Sequence, residues 1–204
     1  LTTDEQLADF VGGYALDPLG FVQACYPWGE KGTALENQEG PDKWQHEFLE
    51  KLGEQVRANA FDGATPCLPI RRAVSSGHGP GKSTMAAWIT NWVMSTRPHC
   101  RGTITANSVQ QLETKTWAAI QKWTKLCLTG HWFNINSAKM YQVDNVSSWF
   151  CAPQSSKEEN SEAFAGQHAA DSTSFYIFDE DSGIPDLIHE VAEGGLTDGE
   201  PMIF

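Results

Sequence analysis

Residues 76–84 read Ser-Gly-His-Gly-Pro-Gly-Lys-Ser-Thr and lie between an apolar run and a helical pattern. The run at 68–75 predicts a strand, and apolar residues at 85–93 recur at the spacing of one helix face. Three glycines between a strand and a helix let backbone N–H groups converge on a phosphate without Cβ clashes. The following helix adds its positive N-terminal end. The sequence therefore predicts a phosphate-binding loop here.

The last residues of this loop carry its predicted chemistry. Lys82 is expected to reach the β- and γ-phosphates of a nucleotide, and the Ser83 hydroxyl to ligate Mg²⁺. Ser76 stands where the Walker A pattern G-x-x-x-x-G-K-[ST] has its first glycine, and serine is small enough for that place. A glycine-rich turn that precedes a lysine by chance is the alternative. The predicted ATP-binding residues are Ser76, Gly77, His78, Gly79, Pro80, Gly81, Lys82, Ser83 and Thr84.

Two carboxylates follow a second apolar run, at 174–178. A continuous apolar run of this length is typical of a buried parallel strand, and α/β sheets bind ligands at the carboxyl ends of such strands. Asp179 is predicted to hold Mg²⁺ through water, and Glu180 to orient and deprotonate the attacking water. A strand ending in Asp-Glu is common by chance. Downstream of a phosphate-binding loop, it favours the hydrolytic Asp-Glu class of P-loop ATPase, with Walker B carboxylates, over a kinase or a GTPase.

The rest of the chain predicts an α/β fold, a P-loop NTPase with a mainly parallel sheet flanked by helices. Residues 1–60 form a helical N-terminal segment, and residues 61–204 the ATPase core, cut off at its C-terminal end. Strands are predicted at 68–75, 101–106, 143–152, 174–178 and 200–204, and they alternate with helices as in βαβ units. Residues 154–172 are polar and predicted to be mobile.

Helix signals are clearest in the N-terminal segment and after residue 107. A capping box begins at Thr3, Pro18 opens a second helix, and a third begins near Asp42. The predicted buried face of the third helix is Trp44, Phe48, Leu52 and Val56. Ser108 is predicted to cap a long helix whose apolar face carries Leu112, Thr116, Ile120, Trp123 and Cys127.

Composition excludes several classes of protein. The 204 residues include 14 Lys and Arg against 26 Asp and Glu, a net charge of −12, so DNA binding would need a local patch or a partner. The five cysteines lack metal-site or disulfide-framework spacing, and reduced thiols are expected. No signal peptide or apolar run of about 18 residues is present, so no membrane partner is expected. Because the chain starts at Leu1 and stops in an apolar run, a piece of a longer protein is expected.

Three weaker features have competing interpretations. Trp44 and Gln45 could stack on and hydrogen-bond an adenine, although their spacing favours a helix start with a core tryptophan. Polar residues at 103–107 end a predicted strand beside the site, or Asn107 simply caps a helix. Arg97 and Arg101 are candidates for an arginine finger offered to a neighbouring subunit, or are ordinary solvated charges.

The order of these motifs resembles the ATPase domain of the large terminase subunit of tailed bacteriophages, the motor that pumps double-stranded DNA into a capsid. The resemblance runs from residue 40 onward. It rests on GPDKWQ at 40–45, SGHGPGKST at 76–84, TITANSVQQLETKTW at 103–117, FAGQHA at 164–169 and IFDEDSGIPDLIHEVAEGGLTDGEPMIF at 177–204.

The resemblance implies roles for several residues. It makes Trp44 and Gln45 the adenine-side motif, and Asp179 and Glu180 the metal-binding and catalytic carboxylates. His78 stands where the family often has a basic residue that contacts the γ-phosphate. Asp181 is a third carboxylate where the family commonly has a small residue.

The resemblance also implies a setting: the host bacterial cytoplasm, at the procapsid portal. The implied partners are double-stranded DNA, the portal protein, the small terminase subunit and further copies of the chain in a ring. Nothing matches the family's C-terminal nuclease, and no nuclease activity is expected. A helicase-like or remodelling ATPase, or a non-hydrolysing docking module from a truncated prophage gene, remain alternatives.

Overall fold

The computed structural model describes residues 3–59, 67–75, 81–165, 172–194 and 201–203. The helices are α1 (Asp4–Gly12), α2 (Pro18–Cys25), α3 (Lys43–Ala58), α4 (Lys82–Thr96), α5 (Val109–Gln111), α6 (Ala118–Leu126), α7 (Glu162–Ala165) and α8 (Asp186–Gly194). A π-helical segment, Leu112–Trp117, joins α5 to α6. The strands are β1 (Ile70–Arg71), β2 (Arg101–Ala106), β3 (Phe133–Ile135), β4 (Met140–Gln142), β5 (Phe150–Pro153), β6 (Ser174–Asp179) and β7 (Pro201–Ile203).

The strands form one sheet in the order β1-β7-β6-β2-β5-β4-β3. The pairs from β1 to β5 are all parallel, whereas β5, β4 and β3 pair antiparallel. The described chain is therefore mixed α/β, with the predicted parallel pairing confirmed from β1 to β5 and an antiparallel end added. Strand β6, which ends in Asp179, lies between two parallel neighbours, as its continuous apolar run predicted.

Helices cover both faces of the sheet around β6. Because successive side chains of a strand point to opposite faces, Phe175 and Ile177 join the core formed with α4 and α6. Tyr176 packs on the other face in a second cluster with Phe164 of α7 and Ile188 of α8. Phe164 falls within the stretch 154–172 that composition predicts to be polar, and its complete burial corrects that prediction locally.

The N-terminal helices α1 and α2 pack against α4 and the end of α6. The Trp92 indole donates to the Tyr14 carbonyl at 2.9 Å, and the Leu128 N–H to the Cys25 carbonyl at 2.8 Å. Four aromatic rings meet at this junction, with centroids 5.1 to 6.4 Å apart: Tyr26, Trp28, Trp88 and Trp123. The predicted division after residue 60 falls outside the described residues and stays a prediction.

Most predicted helix starts are confirmed. The Thr3 capping box is formed, Pro18 opens α2, and the Ser108 hydroxyl accepts from the Gln111 N–H at 3.2 Å. The five predicted core positions of the long helix are buried, although its middle is π-helical. Helix α4 is buried on nearly all sides beyond its first turn rather than on one face.

Three predictions of local structure are wrong. Strand β1 has two residues instead of the predicted run, since Leu68 and Val74 beside it are exposed. One of the one or two strands predicted within 143–152 is present as β5, but it begins only at Phe150, and β3 and β4 were missed. The buried face of α3 is Gln45, Leu49, Leu52, Gly53 and Val56, with Trp44 and Phe48 half-buried beside it.

Arg97 is neither a solvated charge nor available to a neighbouring subunit. Its side chain is 3% exposed, lies 5.6 Å from the Trp92 ring centroid and donates to the Ala15 carbonyl at 2.7 Å. It thus ties the turn between α1 and α2 to the end of α4. Arg101 is the first residue of β2, whereas Ala106, the last residue of that strand, pairs with Asp179. Arg101 and Asp179 therefore lie at opposite ends of the paired strands. Neither position supports the arginine-finger interpretation.

We expect Arg97→Ala to lower the free energy of unfolding by about 2 kcal/mol, because the half-buried Ala15 carbonyl loses its charged donor. Urea denaturation measures the change. Arg57→Ala is the matched control, since the exposed Arg57 donates to the adjacent Leu16 carbonyl at 3.0 Å. Its loss should cost no more than about 0.5 kcal/mol. Equal losses in the two variants would contradict a special role for the buried arginine.

None of the helices in the described ranges is both long and apolar enough to span a membrane.

Candidate functional site

The start of α4 is shaped by a glycine in the left-handed region. Gly81 has φ 89° and ψ 25° and caps α4, and its carbonyl accepts the first helical hydrogen bond, from the Met85 N–H at 3.0 Å. Lys82, Ser83 and Thr84 form the first turn and are half-buried. The predicted phosphate-binding residues Ser76, Gly77, His78, Gly79 and Pro80 lie outside the described residues.

Gln45 links α3 to this helix start. Its side-chain oxygen accepts from the Asp42 N–H at 2.9 Å, and its Nε2 donates to the Gly81 carbonyl at 3.3 Å. With 4% exposure, Gln45 is buried between the two elements. The structure therefore brings the predicted adenine-side motif to the end of the predicted phosphate loop. Its proposed contact with adenine stays a prediction.

Trp44 lies on the neighbouring side of α3 and is half-buried. It lines an open cleft of about 560 Å³ together with Asp42, Lys43 and Glu47. An aromatic side wall in an open cleft beside the start of α3 suits a planar ring, because stacking needs one accessible aromatic face.

We expect Gly81→Ala to destabilise the chain by about 1–2 kcal/mol, the cost of a left-handed conformation for a residue with a Cβ. The added Cβ would also lie 2.8 Å from Gln45 Nε2 and displace that amide. Thermal unfolding measures the effect. Gly12→Ala is the control, since nothing lies within 4 Å of a Cβ there. Equal melting temperatures for the two variants would contradict the strained geometry assigned to Gly81.

Ser83 and Asp179 meet across the sheet, as the motifs predict. The Ser83 hydroxyl donates to Asp179 Oδ2 at 3.1 Å. Strand β7 separates β1 from β6, so the strand before the loop and the strand of Asp179 are about 9.5 Å apart. Ser83, in the first turn of α4, and Asp179, at the end of β6, are 96 positions apart in the sequence.

A third residue completes this contact. The Thr116 hydroxyl, in the π-helical segment, donates to the same Oδ2 of Asp179 at 2.6 Å. Thr116 is fully buried and Asp179 is 8% exposed. Sequence periodicity treated Thr116 as a core position of a helix and missed this contact. The available signal was a hydroxyl on an otherwise apolar face.

Glu180 ends β6 with an unusual backbone. Its φ of 53° and ψ of 50° are left-handed. Among described non-glycine residues, only His99, in the turn before β2, shares a positive φ. Such strain costs about 1–3 kcal/mol and is concentrated at functional sites. The Glu180 side chain is half-buried, and no hydrogen bond or ion pair joins its carboxylate to another residue in the described ranges.

The turn after Glu180 is fixed from two sides. The Asp181 carboxylate contacts His189 Nε2 on α8 at 3.0 Å, and the Phe178 ring lies 4.5 Å from the His189 ring. Asp181 is therefore bound to α8. On the other side, Asn107 lies against Gly183, where a Cβ would be 2.7 Å from the Asn107 amide nitrogen. Asn107 thus borders the turn, while Ser108 provides the helix cap.

The oxygen donors present suit Mg²⁺. One carboxylate and two hydroxyls meet at the site, and Mg²⁺ is usually held by one or two carboxylates together with phosphate oxygens and water. The part of the chain that the structure describes contains no group of three or more His, Cys, Asp or Glu residues arranged for a metal ion. A protein-only cage of that kind is not what a nucleotide-bound Mg²⁺ needs.

The cysteines offer no reactive thiol among the buried positions. Cys25, Cys100, Cys127 and Cys151 are free and buried. Burial raises the pKa of the Cys25 thiol to about 12 and that of Cys100 further still. Because the thiolate is the nucleophile, these groups are inert near neutral pH.

Sequence comparison supports the resemblance drawn from the motifs. No protein-family model matches the chain. Over 137 residues the chain is 32% identical to the probable terminase large subunit of Enterobacteria phage P7. This chain is similar to a phage terminase large subunit. The matched stretch is 65% of this chain and 27% of the P7 protein, so the chain corresponds to about a quarter of that relative.

Proposed function

We propose that this chain is the ATP-hydrolysing part of a terminase large subunit and belongs to the Asp-Glu class of P-loop ATPases. The observation that carries the proposal is the 3.1 Å contact between the Ser83 hydroxyl and the Asp179 carboxylate. The two groups come from separate sequence motifs, and they meet where a helix N-terminus faces the carboxyl end of a buried parallel strand. Similarity to the P7 protein supports the same conclusion.

Nucleotide binding in this proposal begins at the first turn of α4. The N–H groups of that turn, which have no acceptor within the helix, and the Lys82 ammonium attract the phosphates, because both carry positive charge. Trp44 forms one wall for the adenine ring, and Gln45 holds the loop end through the Gly81 carbonyl. The residues that fit Mg²⁺ are Ser83, as a direct ligand, and Asp179, through water. Bound Mg²⁺ would neutralise charge on the β- and γ-phosphate oxygens.

Hydrolysis in this proposal depends on Glu180. Its carboxylate accepts a proton from a water molecule, and the water oxygen forms a bond to the γ-phosphorus. The bond from that phosphorus to the β–γ bridging oxygen breaks, which yields ADP and inorganic phosphate. The left-handed backbone of Glu180 turns its side chain off the line of β6, and the contacts of Asp181 and Gly183 hold that turn.

Phage DNA packaging is the proposed process. The P7 protein is named a probable terminase large subunit, and by similarity this chain would power movement of double-stranded DNA into a procapsid. Portal protein, small terminase subunit and further copies of the chain in a ring are the proposed partners, and the host cytoplasm is the proposed location. The net charge of −12 places the DNA-gripping surface on a local patch or on another part of the motor.

Phosphate release from ATP by the purified chain tests this proposal. We expect phosphate release in the presence of Mg²⁺ and none with excess EDTA. Added double-stranded DNA should either leave the rate of release unchanged or raise it. Binding of ATP without any release, in both the chain alone and a reconstituted packaging mixture, would instead identify a docking module. Release that is equally fast in EDTA would contradict the Ser83–Asp179 metal site.

A further inference from the structure

Thr116 differs from other threonines in the helices of this chain. The hydroxyls of Thr90, Thr96, Thr114 and Thr124 each donate to the carbonyl four residues earlier, at 2.6 to 2.8 Å. This local bond is the usual one for a helical threonine. The Thr116 hydroxyl instead donates across 63 positions of sequence to Asp179.

The two threonines of the π-helical segment bond differently. Residues 112–117 form a wider turn between the α-helical stretches on either side, and Thr116 lies in that turn. Thr114, in the same turn, keeps its bond to the carbonyl four residues earlier, whereas the Thr116 hydroxyl donates to another element. Single π-helical turns inside α-helices occur frequently at functional sites.

The contact leaves Asp179 with a defined orientation. Both donors, Ser83 and Thr116, use the same oxygen, Oδ2. A carboxylate held by two hydroxyls through one oxygen cannot rotate freely, and its other oxygen, Oδ1, keeps its lone pairs for a further partner. Ser83 is itself a proposed metal ligand, so Thr116 is the donor with no other assigned task.

We propose that Thr116, which lies in the π-helical segment, is a positioning residue that pre-orients Asp179 for Mg²⁺. The inference rests on the proposed nucleotide site and adds a residue to it. Groups that hold a metal-binding side chain in place without touching the metal are worth about 10- to 100-fold in metal affinity. Thr116 therefore acts on the metal through Asp179 and does not touch the nucleotide.

The test measures Mg²⁺-dependent binding of a fluorescent methylanthraniloyl derivative of ADP. ADP has no γ-phosphate, so binding is measured without hydrolysis. We expect Thr116→Val to raise the Mg²⁺ concentration needed for half-maximal binding by about 10-fold. Thr116→Ser keeps the hydroxyl and should need the same Mg²⁺ concentration as the parent chain. Thr90→Val is the matched control, because Thr90 is equally buried in α4 but bonds only its own helix.

Each outcome decides between a positioning and a structural role. Unchanged Mg²⁺ dependence in folded Thr116→Val, or an equal shift in Thr90→Val, would overturn the inference while leaving the nucleotide site intact. If Thr116→Val does not fold, Thr116→Cys replaces it. The weak thiol donor should then place Cys below Ser in Mg²⁺ affinity, and equal affinities would overturn the inference. Lack of Mg²⁺-dependent binding by the parent chain would overturn the proposed function itself.

Discussion

Glu180→Gln should reduce the rate of ATP hydrolysis by about 10²–10⁴-fold while nucleotide binding is retained. The amide keeps the size of the side chain and can still orient a water molecule, but it cannot accept the proton. The left-handed backbone at residue 180 is undisturbed, because the change lies at the far end of the side chain.

Single-turnover phosphate release measures this loss. Glu190→Gln is the matched control, since Glu190 is an exposed glutamate on α8 outside the site, and we expect it to keep the parent rate. A Glu180→Gln variant that hydrolyses ATP within a factor of two of the parent would remove Glu180 from the role of base.

Lys82→Ala should weaken binding of ATP by roughly 10- to 100-fold, since a charged hydrogen bond to phosphate is worth about 1.5–3 kcal/mol. Lys82 begins α4, immediately before Ser83, so its ammonium adds to the positive end of that helix. Equilibrium titration with a fluorescent ATP analogue measures the affinity.

The control for this prediction is Lys125→Ala. Lys125 is an exposed lysine in the last turn of α6, and its loss changes net charge by the same amount. Equal losses of affinity in the two variants would mean that Lys82 acts only through net charge, which would contradict its assigned contact with phosphate.

The parts of the fold that the sequence predicted are those with one dominant physical signal. Strand β6 has a continuous apolar run that only a doubly covered parallel strand can bury, and it lies between β2 and β7. The predicted caps at Thr3 and Ser108 have side chains that satisfy helical N–H groups three residues later. These signals lie within a few residues of sequence, so they predict local structure independently of distant contacts.

The missed features depend on contacts distant in sequence. Periodicity placed Trp44 and Phe48 on the buried face of α3, but Gln45 is buried instead because its amide bonds the Asp42 N–H and the Gly81 carbonyl. Strands of two or three residues, such as β1 and β3, are too short to show an alternating pattern.

In the candidate site, too, some residues were predicted from local motifs and one was missed because its role depends on a distant contact. Ser83, Asp179 and Glu180 were predicted from motif chemistry, and the Ser83–Asp179 contact is present. Thr116 was not predicted as part of the site, because the helical period correctly marks it as a buried position but carries no information about which distant group its hydroxyl bonds. Thr116 is buried as the sequence predicted, and its hydroxyl donates a hydrogen bond to the Asp179 carboxylate on β6.

The central claim is that Ser83 and Asp179 form one Mg²⁺-nucleotide site with Glu180 beside the γ-phosphate. A crystal structure of the chain with Mg²⁺ and a non-hydrolysable ATP analogue tests it most directly. We predict phosphates over the first turn of α4, Mg²⁺ about 2.1 Å from Ser83 Oγ and bound to Asp179 through water. Nucleotide bound away from α4, or metal held without Ser83 and Asp179, would contradict the account.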